Sequence, residues 1–145
     1  EKIIGESFGN RAKDYFNLRE IYCYEPARHI DQRSQVDCVI SFDVLEHIFI
    51  NDVPTVLRDI FSLATKSVIL NIACYPAAAL LPNGENAHVT VRSLQWWKGM
   101  IDCISTEFPH VCVHLICSPA WRRAQIFPEW SSADWNNCDS FVINI

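Results

Sequence analysis

The sequence predicts an α/β domain built on a mostly parallel sheet. Short apolar runs alternate with amphipathic segments along the 145 residues, and this alternation is typical of strands and helices that build a parallel sheet. Several runs are apolar throughout, as in strands that helices cover on both faces. Half of the residues are hydrophobic, which is enough for a sizeable core. No internal repeat or linker divides the chain, so we expect one domain over residues 1–145.

Six apolar runs are predicted strands. They cover residues 2–4, 21–24, 37–42, 67–72, 111–116 and 141–145. No helical pattern separates the last two runs, so we expect that pair to be antiparallel. Residues 73–90 and 118–139 contain prolines, and the first of these stretches also contains the turn signal Asn83-Gly84. Both stretches are predicted loops.

Two helices have recognisable start signals. Asn51 is a predicted N-cap, Pro54 falls in the first turn, where proline is tolerated, and apolar residues follow at helical spacing up to residue 64. Ser93 is the predicted N-cap of a second helix over residues 94–104. That helix carries Trp96-Trp97, which we interpret as packing residues in preference to a substrate platform. A shorter helix is predicted over residues 10–17.

Charge and cysteine content narrow the class of function. Twelve Lys and Arg against 17 Asp and Glu give a net charge of −5, which disfavours binding to nucleic acid or to an acidic membrane. No apolar run is long enough to span a bilayer, and the first residues lack the pattern of a signal peptide. The seven cysteines contain no CxxC pair and mostly lie among apolar residues, which indicates reduced core thiols in a cytoplasmic protein.

Two features near the start of the chain indicate a nucleotide-like cofactor. Gly5, Ser7 and Gly9 belong to a loop that follows the first predicted strand and opens a helix, where backbone N–H groups can meet a ligand. Glu25 ends the next predicted strand, 16 residues beyond Gly9 (25 − 9). An acid at that place commonly accepts hydrogen bonds from a ribose. An ordinary turn and a surface carboxylate are the alternatives.

The most informative stretch follows the third predicted strand. Ser41, Phe42 and Asp43 end a strand, and the Val-Leu-Glu-His segment at residues 44–47 turns away from its carboxyl end, where open α/β sheets bind ligands. Together with the glycine loop and Glu25, this stretch resembles the class I S-adenosylmethionine-dependent methyltransferases. Asp-Val-Leu-Glu-His is a frequent motif in that family. Residues 71–88 and Trp96-Trp97 look like a branch of small bacterial members, so the resemblance covers essentially the whole chain.

The resemblance implies a Rossmann-like doubly wound, mostly parallel sheet with an antiparallel last strand. It implies an abbreviated N-terminus and a shortened or missing third strand, since only 11 residues (26–36) separate Glu25 from Asp37. The chain begins inside a predicted strand, which favours a longer parent protein.

The cofactor that the resemblance implies is S-adenosylmethionine. Gly5, Ser7 and Gly9 would line its methionine side, and Glu25 would hold its ribose. Ser41, Phe42 and Asp43 would border the methyl group. In this sequence Ile3 and Ser7 depart from the family's acidic and glycine positions, because Ile3 replaces an acid and Ser7 a glycine.

The predicted function is methyl transfer to a small-molecule or sugar-like acceptor. The alternative is a catalytically weak or inactive binding or assembly module with the same fold. A nicotinamide oxidoreductase is a more distant alternative, because the glycine loop and Glu25 alone would also fit one.

Methyl transfer needs in-line positioning and sometimes a base. Glu46, His47 and His88 are the candidate catalytic residues, and hydrogen bonds to neighbouring backbone are the structural alternative for both imidazoles. With Asp43, these residues also resemble the metal-binding Glu-x-x-Glu-His arrangement of small-RNA 2′-O-methyltransferases. The same motif is common in relatives that hold no metal, so no metal is predicted.

Overall fold

A computed structural model describes residues 13–121, 123–130 and 141–144. The chain divides into two compact units, Glu1–Ser34 and Gln35–Ile145, and the expectation of one domain stays a prediction. The first predicted strand lies outside the described residues, and so do Gly5, Ser7 and Gly9. The helix predicted over residues 10–17 is described only in part, with residues 13–15 helical.

The first unit contains a small antiparallel pair of strands, β1 (Tyr24–Glu25) and β2 (Ile30–Asp31). A 3₁₀ turn, Pro26–Arg28, joins them, and Glu25 Oε1 caps it by accepting a hydrogen bond from the Ala27 N–H at 3.3 Å. The predicted strand over residues 21–24 is therefore wrong except at its last residue. The proline, which cannot donate a backbone hydrogen bond, ends the strand and starts the turn.

The second unit contains a five-stranded mixed sheet. Its strands are β3 (Val36–Phe42), β4 (Ala64–Ala73), β5 (Cys112–Ala120), β6 (Arg123–Trp130) and β7 (Phe141–Asn144), adjacent in chain order. The pairs β3–β4 and β4–β5 are parallel, whereas β5–β6 and β6–β7 are antiparallel. The predicted α/β class is confirmed, and the three parallel strands, β3, β4 and β5, lie together on one side of the sheet.

Strand β6 corrects two predictions about the end of the chain. It occupies residues that were predicted to be loop, and it separates the last two predicted strands, which therefore do not pair with each other. The strand that runs against the parallel set is β6, and β7 in turn runs antiparallel to β6. Pro128 lies beyond the part of β6 that pairs with β7 and beside an irregularity in its pairing with β5, which are positions where a strand tolerates proline.

Two helices connect the parallel strands, α1 (Val53–Leu63) and α2 (Leu94–Ser105). Pro54 occupies the first turn of α1 as predicted, but the N-cap is Asp52 and not Asn51, and it makes no side-chain cap bond. Ser93 caps α2 as predicted, because its Oγ accepts a hydrogen bond from the Trp96 N–H at 3.3 Å.

The core lies between both helices and one face of the sheet. Trp97 of α2 is fully buried in it, and Trp96 packs against it, so the interpretation of this pair as packing residues is confirmed. Alternate side chains of the central strands are fully buried, as the two-residue period of a strand requires. They are Val68, Leu70, Ile72, Val113, Leu115 and Cys117.

The opposite face of the sheet is more open. Ile40 and Phe42 of β3 point away from the core side and are each 47% exposed. The expectation that the apolar strands are covered on both faces therefore fails for β3. The described helices α1 and α2 pack on the same face, since both contribute to one core cluster.

The cysteines divide between the interior and the surface. All six in the described residues are free thiols; Cys117 is buried, but Cys38 and Cys103 are exposed, so the prediction of core thiols holds only in part. Among the described helices, none has the length and apolar character needed to cross a bilayer. A cytoplasmic location stays a prediction.

Candidate functional site

The site begins where the chain leaves β3. Asp43 has a φ of +53°, a left-handed conformation that aspartate adopts more readily than most residues. Its N–H donates to the Asn71 carbonyl at 3.0 Å, and Asn71 Nδ2 donates to Asp43 Oδ1 at 3.2 Å. These two bonds tie the carboxyl end of β3 to the neighbouring strand β4 and turn the chain sharply out of the sheet.

Glu46 is a buried carboxylate inside the turn that follows. It lies in a short 3₁₀ helix, Leu45–His47, and is fully buried. Its Oε1 accepts a hydrogen bond from the Ala73 N–H at 3.1 Å, at the end of β4, whereas Oε2 is buried and has no hydrogen-bond partner among the described residues. Burial raises the pKa of Glu46, and the hydrogen bonds from the backbone only partly oppose that shift.

The predicted loop after β4 has an ordered hairpin shape. The Asn86 carboxamide accepts from the Ala77 N–H at 2.9 Å and from the His88 N–H at 3.0 Å, and donates to the Ala77 carbonyl at 2.9 Å. At the tip, Gly84 has a φ of +85°, so the predicted Asn-Gly turn is confirmed. The side chain of Asn86 thus fixes the segment that leads into His88.

The two imidazoles of the site contact each other and the main chain. His47 Nδ1 lies 2.8 Å from the Ala87 carbonyl oxygen, and His88 Nδ1 lies 2.6 Å from the Tyr75 carbonyl oxygen. The ring centroids are 4.8 Å apart in an edge-to-face arrangement. A carbonyl oxygen can only accept, so each Nδ1 carries a proton, and in the neutral form of the ring the lone pair is on Nε2.

Thr90 holds this cluster in place. Its N–H donates to the Glu46 carbonyl at 2.9 Å, and its hydroxyl donates to the Ile48 carbonyl at 2.6 Å. The residue is buried. These bonds fasten the end of the hairpin segment to the turn that carries Glu46 and His47. Sequence reasoning missed Thr90 because one threonine beside a loop carries no recognisable pattern.

The structure brings three of the candidate catalytic residues together. Glu46, His47 and His88 each offer one ligand atom, and these atoms lie within 4.8 Å of one another. Asp43 does not belong to this group; its Oδ1 accepts a hydrogen bond from Asn71 Nδ2.

The predicted cofactor residues are distributed differently. Phe42 and Asp43 are exposed at the carboxyl end of β3, but the Ser41 side chain is buried. Ser41 pairs with Leu70, which belongs to the core side of the sheet. Glu25 belongs to the other unit of the chain.

Two cysteines next to the site were also missed. Cys74 follows β4, and its N–H donates to the Ser118 carbonyl of β5 at 2.8 Å. A hydrogen bond between the thiols of Cys74 and Cys117 lowers the pKa of Cys74 and raises that of Cys117, whose pKa burial raises further. The negative charge of Glu46 raises the pKa of both thiols. Their spacing of 43 residues (117 − 74) hides the contact, which only the register of β4 and β5 creates.

Comparison with protein-family models, with curated proteins and with solved structures yields no match to this chain. The residues of the site themselves define the chemistry that it can carry out. They provide one buried carboxylate and two imidazoles with uncommitted Nε2 atoms, close to an exposed aspartate at the carboxyl edge of a parallel sheet. This set can move a proton, orient a polar ligand or bind a cation.

Proposed function

We propose that the protein transfers a methyl group from S-adenosylmethionine to a small-molecule or sugar-like acceptor. The observation that carries the proposal is the position of the site at the carboxyl ends of two adjacent parallel strands, β3 and β4. Ligands of open α/β sheets bind at such ends. The Asp43–Asn71 contact lies there, Glu46 and His47 follow Asp43 closely in the chain, and the hairpin after β4 brings His88 to them.

The residues at the end of β3 suit a ligand that is partly polar and partly apolar. Phe42 and Val44 are 47% and 44% exposed on either side of Asp43. Asn71 Oδ1 is buried with no hydrogen-bond partner among the described residues, so one polar atom beside Asp43 is uncommitted. Phe42 and Asp43 would contact the cofactor through their side chains. Ser41, whose side chain faces the core, would contribute only backbone atoms.

The bound cofactor would supply a methyl group activated by its sulfonium. The chain's part is to position the acceptor and to remove its proton. His47 is exposed and has an uncommitted Nε2, while its Nδ1–H is fixed on the Ala87 carbonyl. It would accept the proton of an acceptor hydroxyl or amine, and the neighbouring carboxylate of Glu46 would stabilise the resulting imidazolium.

Calorimetric titration with S-adenosylhomocysteine tests the cofactor site. We expect saturable binding that weakens by about tenfold or more in Asp43→Ala, because the variant removes the exposed carboxylate and its bond to Asn71. Asp52→Ala is the matched control, since the Asp52 side chain makes no cap bond. Glu25→Ala tests the predicted ribose contact in the same way. Absence of binding at millimolar ligand would contradict the proposal and favour a binding or assembly module.

A second experiment tests the transfer itself. The chain is incubated with S-adenosylmethionine labelled in its methyl group and a mixture of small hydroxylated metabolites. We expect label to enter the small-molecule fraction. In His47→Gln the rate should fall by about 10²-fold or more, while affinity for S-adenosylhomocysteine is unchanged. Equal loss of both properties would mean that His47 is a structural residue.

A further inference from the structure

We propose that Glu46, His47 and His88 form a binding site for a divalent transition-metal ion such as Zn²⁺. One ligand atom from each residue lies within 4.8 Å of the other two. Two imidazoles and one carboxylate are a usual ligand set for Zn²⁺ and for other divalent first-row metals. The three side chains come from two segments that Thr90 fastens together.

The hydrogen bonds of the imidazoles are of a kind that metal-binding histidines also make. Each Nδ1–H is held by a main-chain carbonyl, that of Ala87 for His47 and that of Tyr75 for His88. Partners of this kind fix the tautomer and the ring orientation of metal-ligating histidines. Both rings therefore direct their lone pairs from Nε2 without the cost of ordering them when the ion binds.

The buried carboxylate of Glu46 supports a cation site independently of the histidines. Its Oε1 is satisfied by the Ala73 N–H, while Oε2 is buried without a hydrogen-bond partner among the described residues. An unsatisfied buried carboxylate oxygen is unfavourable. A cation bound between it and the two imidazoles would remove that cost, and Glu46 would act as the anionic ligand.

The site is accessible from solvent on its histidine side. His47 is exposed and His88 is half-buried, whereas Glu46 is buried. An ion can therefore enter along the imidazoles, and three protein ligands leave a coordination position for water or for an acceptor oxygen. Mg²⁺, which prefers six oxygen ligands, should bind far more weakly than Zn²⁺.

The inference does not rest on the proposed methyl transfer. A bound ion would take the Nε2 lone pair of His47, so that His47 could no longer act as a base. It would not involve Asp43, on which the test of cofactor binding depends. Binding of S-adenosylhomocysteine with and without a chelator therefore separates the two proposals. A chain that binds zinc but no S-adenosylhomocysteine retains this inference and loses the methyltransferase.

The test is a titration of the metal-free, reduced chain with Zn²⁺ against a chromophoric chelator. We expect one ion per chain, with affinity lowered about tenfold or more in each of Glu46→Gln, His47→Gln and His88→Gln. Glutamine at position 46 can still accept from the Ala73 N–H. His110→Gln is the control, because His110 is exposed and lies outside the cluster. Affinity equal to that of the parent chain in all three variants would overturn the site.

Two measurements on the unaltered chain guard against variants that do not fold. In a nitrogen NMR spectrum, Zn²⁺ should shift the Nε2 resonances of two histidines strongly and their Nδ1 resonances little. Co²⁺ should bind without a thiolate-to-metal charge-transfer band. Such a band would assign the ion to cysteines such as Cys74 and Cys117 and would overturn the proposal, as would the absence of saturable binding.

Discussion

The two faces of the sheet differ in how far their apolar side chains are buried, although the same apolar strands form both faces. Leu70 of β4 lies on the face that the helices cover and is fully buried. The adjacent residue, Ile69, lies on the opposite face and is only half-buried. On β3, Ile40 and Phe42 are 47% exposed. An apolar run therefore predicts a strand of the parallel part of the sheet, but it does not predict how many layers of helix cover the strand.

The direction of the crossovers explains the difference. Strands β3, β4 and β5 are parallel and adjacent in chain order. Crossovers between parallel strands are right-handed almost without exception, so two successive crossovers in the same direction place their helices on the same face. Helices on the second face require a reversal of strand order, and the described strand order contains none.

The largest expected difference in stability is between truncation of Phe61, on the covered face, and truncation of Phe42, on the open face. Phe61 of α1 is fully buried and packs beside Phe108, with ring centroids 5.6 Å apart. We expect Phe61→Ala to lower the free energy of unfolding by about 3–5 kcal/mol because it leaves a cavity. Phe42→Ala should cost about 1 kcal/mol or less. Denaturant unfolding measures both, and equal losses would mean that the open face is covered in solution.

Thiol reactivity should separate the faces kinetically. Cys38 of β3 is exposed, whereas Cys117 of β5 is fully buried on the covered face. In the native chain we expect alkylation of Cys117 to be slower than that of Cys38 by about 100-fold or more, because it requires local or global opening. Peptide mass spectrometry after timed alkylation measures both rates, with the urea-unfolded chain as the control. Similar rates in the native chain would show that the core is open at β5.

A polar substitution on each side of β3 gives a smaller contrast. Val39 packs against the core cluster, and Ile40 is on the open face. We expect Val39→Thr to lower the free energy of unfolding by about 1–3 kcal/mol, because it buries a hydroxyl. Ile40→Thr keeps a β-branched side chain and should cost about 0.5 kcal/mol or less. Urea titrations of both variants would sharpen the comparison, and a larger loss for Ile40→Thr would reverse it.

The smallest effect concerns the outer surface of the helical layer. Arg58 of α1 makes a bidentate ion pair with Glu107, with a shortest N–O distance of 2.8 Å. The hydrogen bonds from Arg58 hold the pKa of Glu107 below its usual value. The stability that this pair contributes is present above the ordinary carboxyl pKa and is lost as pH falls through the lowered value.

We therefore expect Arg58→Gln to remove a small acid-side dependence of stability and to return the pKa of Glu107 to its usual range. Both side chains are nearly half exposed, so solvent screens the pair and added salt should weaken it further. An NMR titration of the Glu107 carboxyl in the parent chain and in the variant measures the shift. Identical titrations would show that the ion pair does not form in solution.

Much of the fold was predictable because its signals are local. Ser93 and Pro54 mark helix starts, and the apolar runs of β3, β4 and β5 mark the parallel strands. Strand β6 was not predictable in this way, because prolines and aromatic residues at 118–139 have the composition of a loop. Its position depends on pairing with β5 and β7, which is not visible in any one segment.

The candidate site also has residues that the sequence predicts and contacts that it does not predict. The motif at residues 43–47 and His88 were singled out from the sequence, and the structure brings Glu46, His47 and His88 together. The contacts that fix them come from Asn86, Thr90 and main-chain carbonyls, and such contacts leave no sequence pattern. The identity of Glu46 as the buried member depends on its bond to the end of β4.

The hairpin between β4 and α2 also determines where the chain can accept inserted residues. The last backbone bonds before its tip run from the Leu81 N–H to the Glu85 carbonyl at 2.8 Å and from the Gly84 N–H to the Leu81 carbonyl at 2.9 Å, and residues 82–85 are exposed. Residues inserted at Asn83-Gly84 would lengthen only a solvated tip. One residue inserted between Asn86 and His88 would displace an imidazole from its partner. The protein thus offers a place to graft a label or an epitope within a few residues of its most constrained side chains.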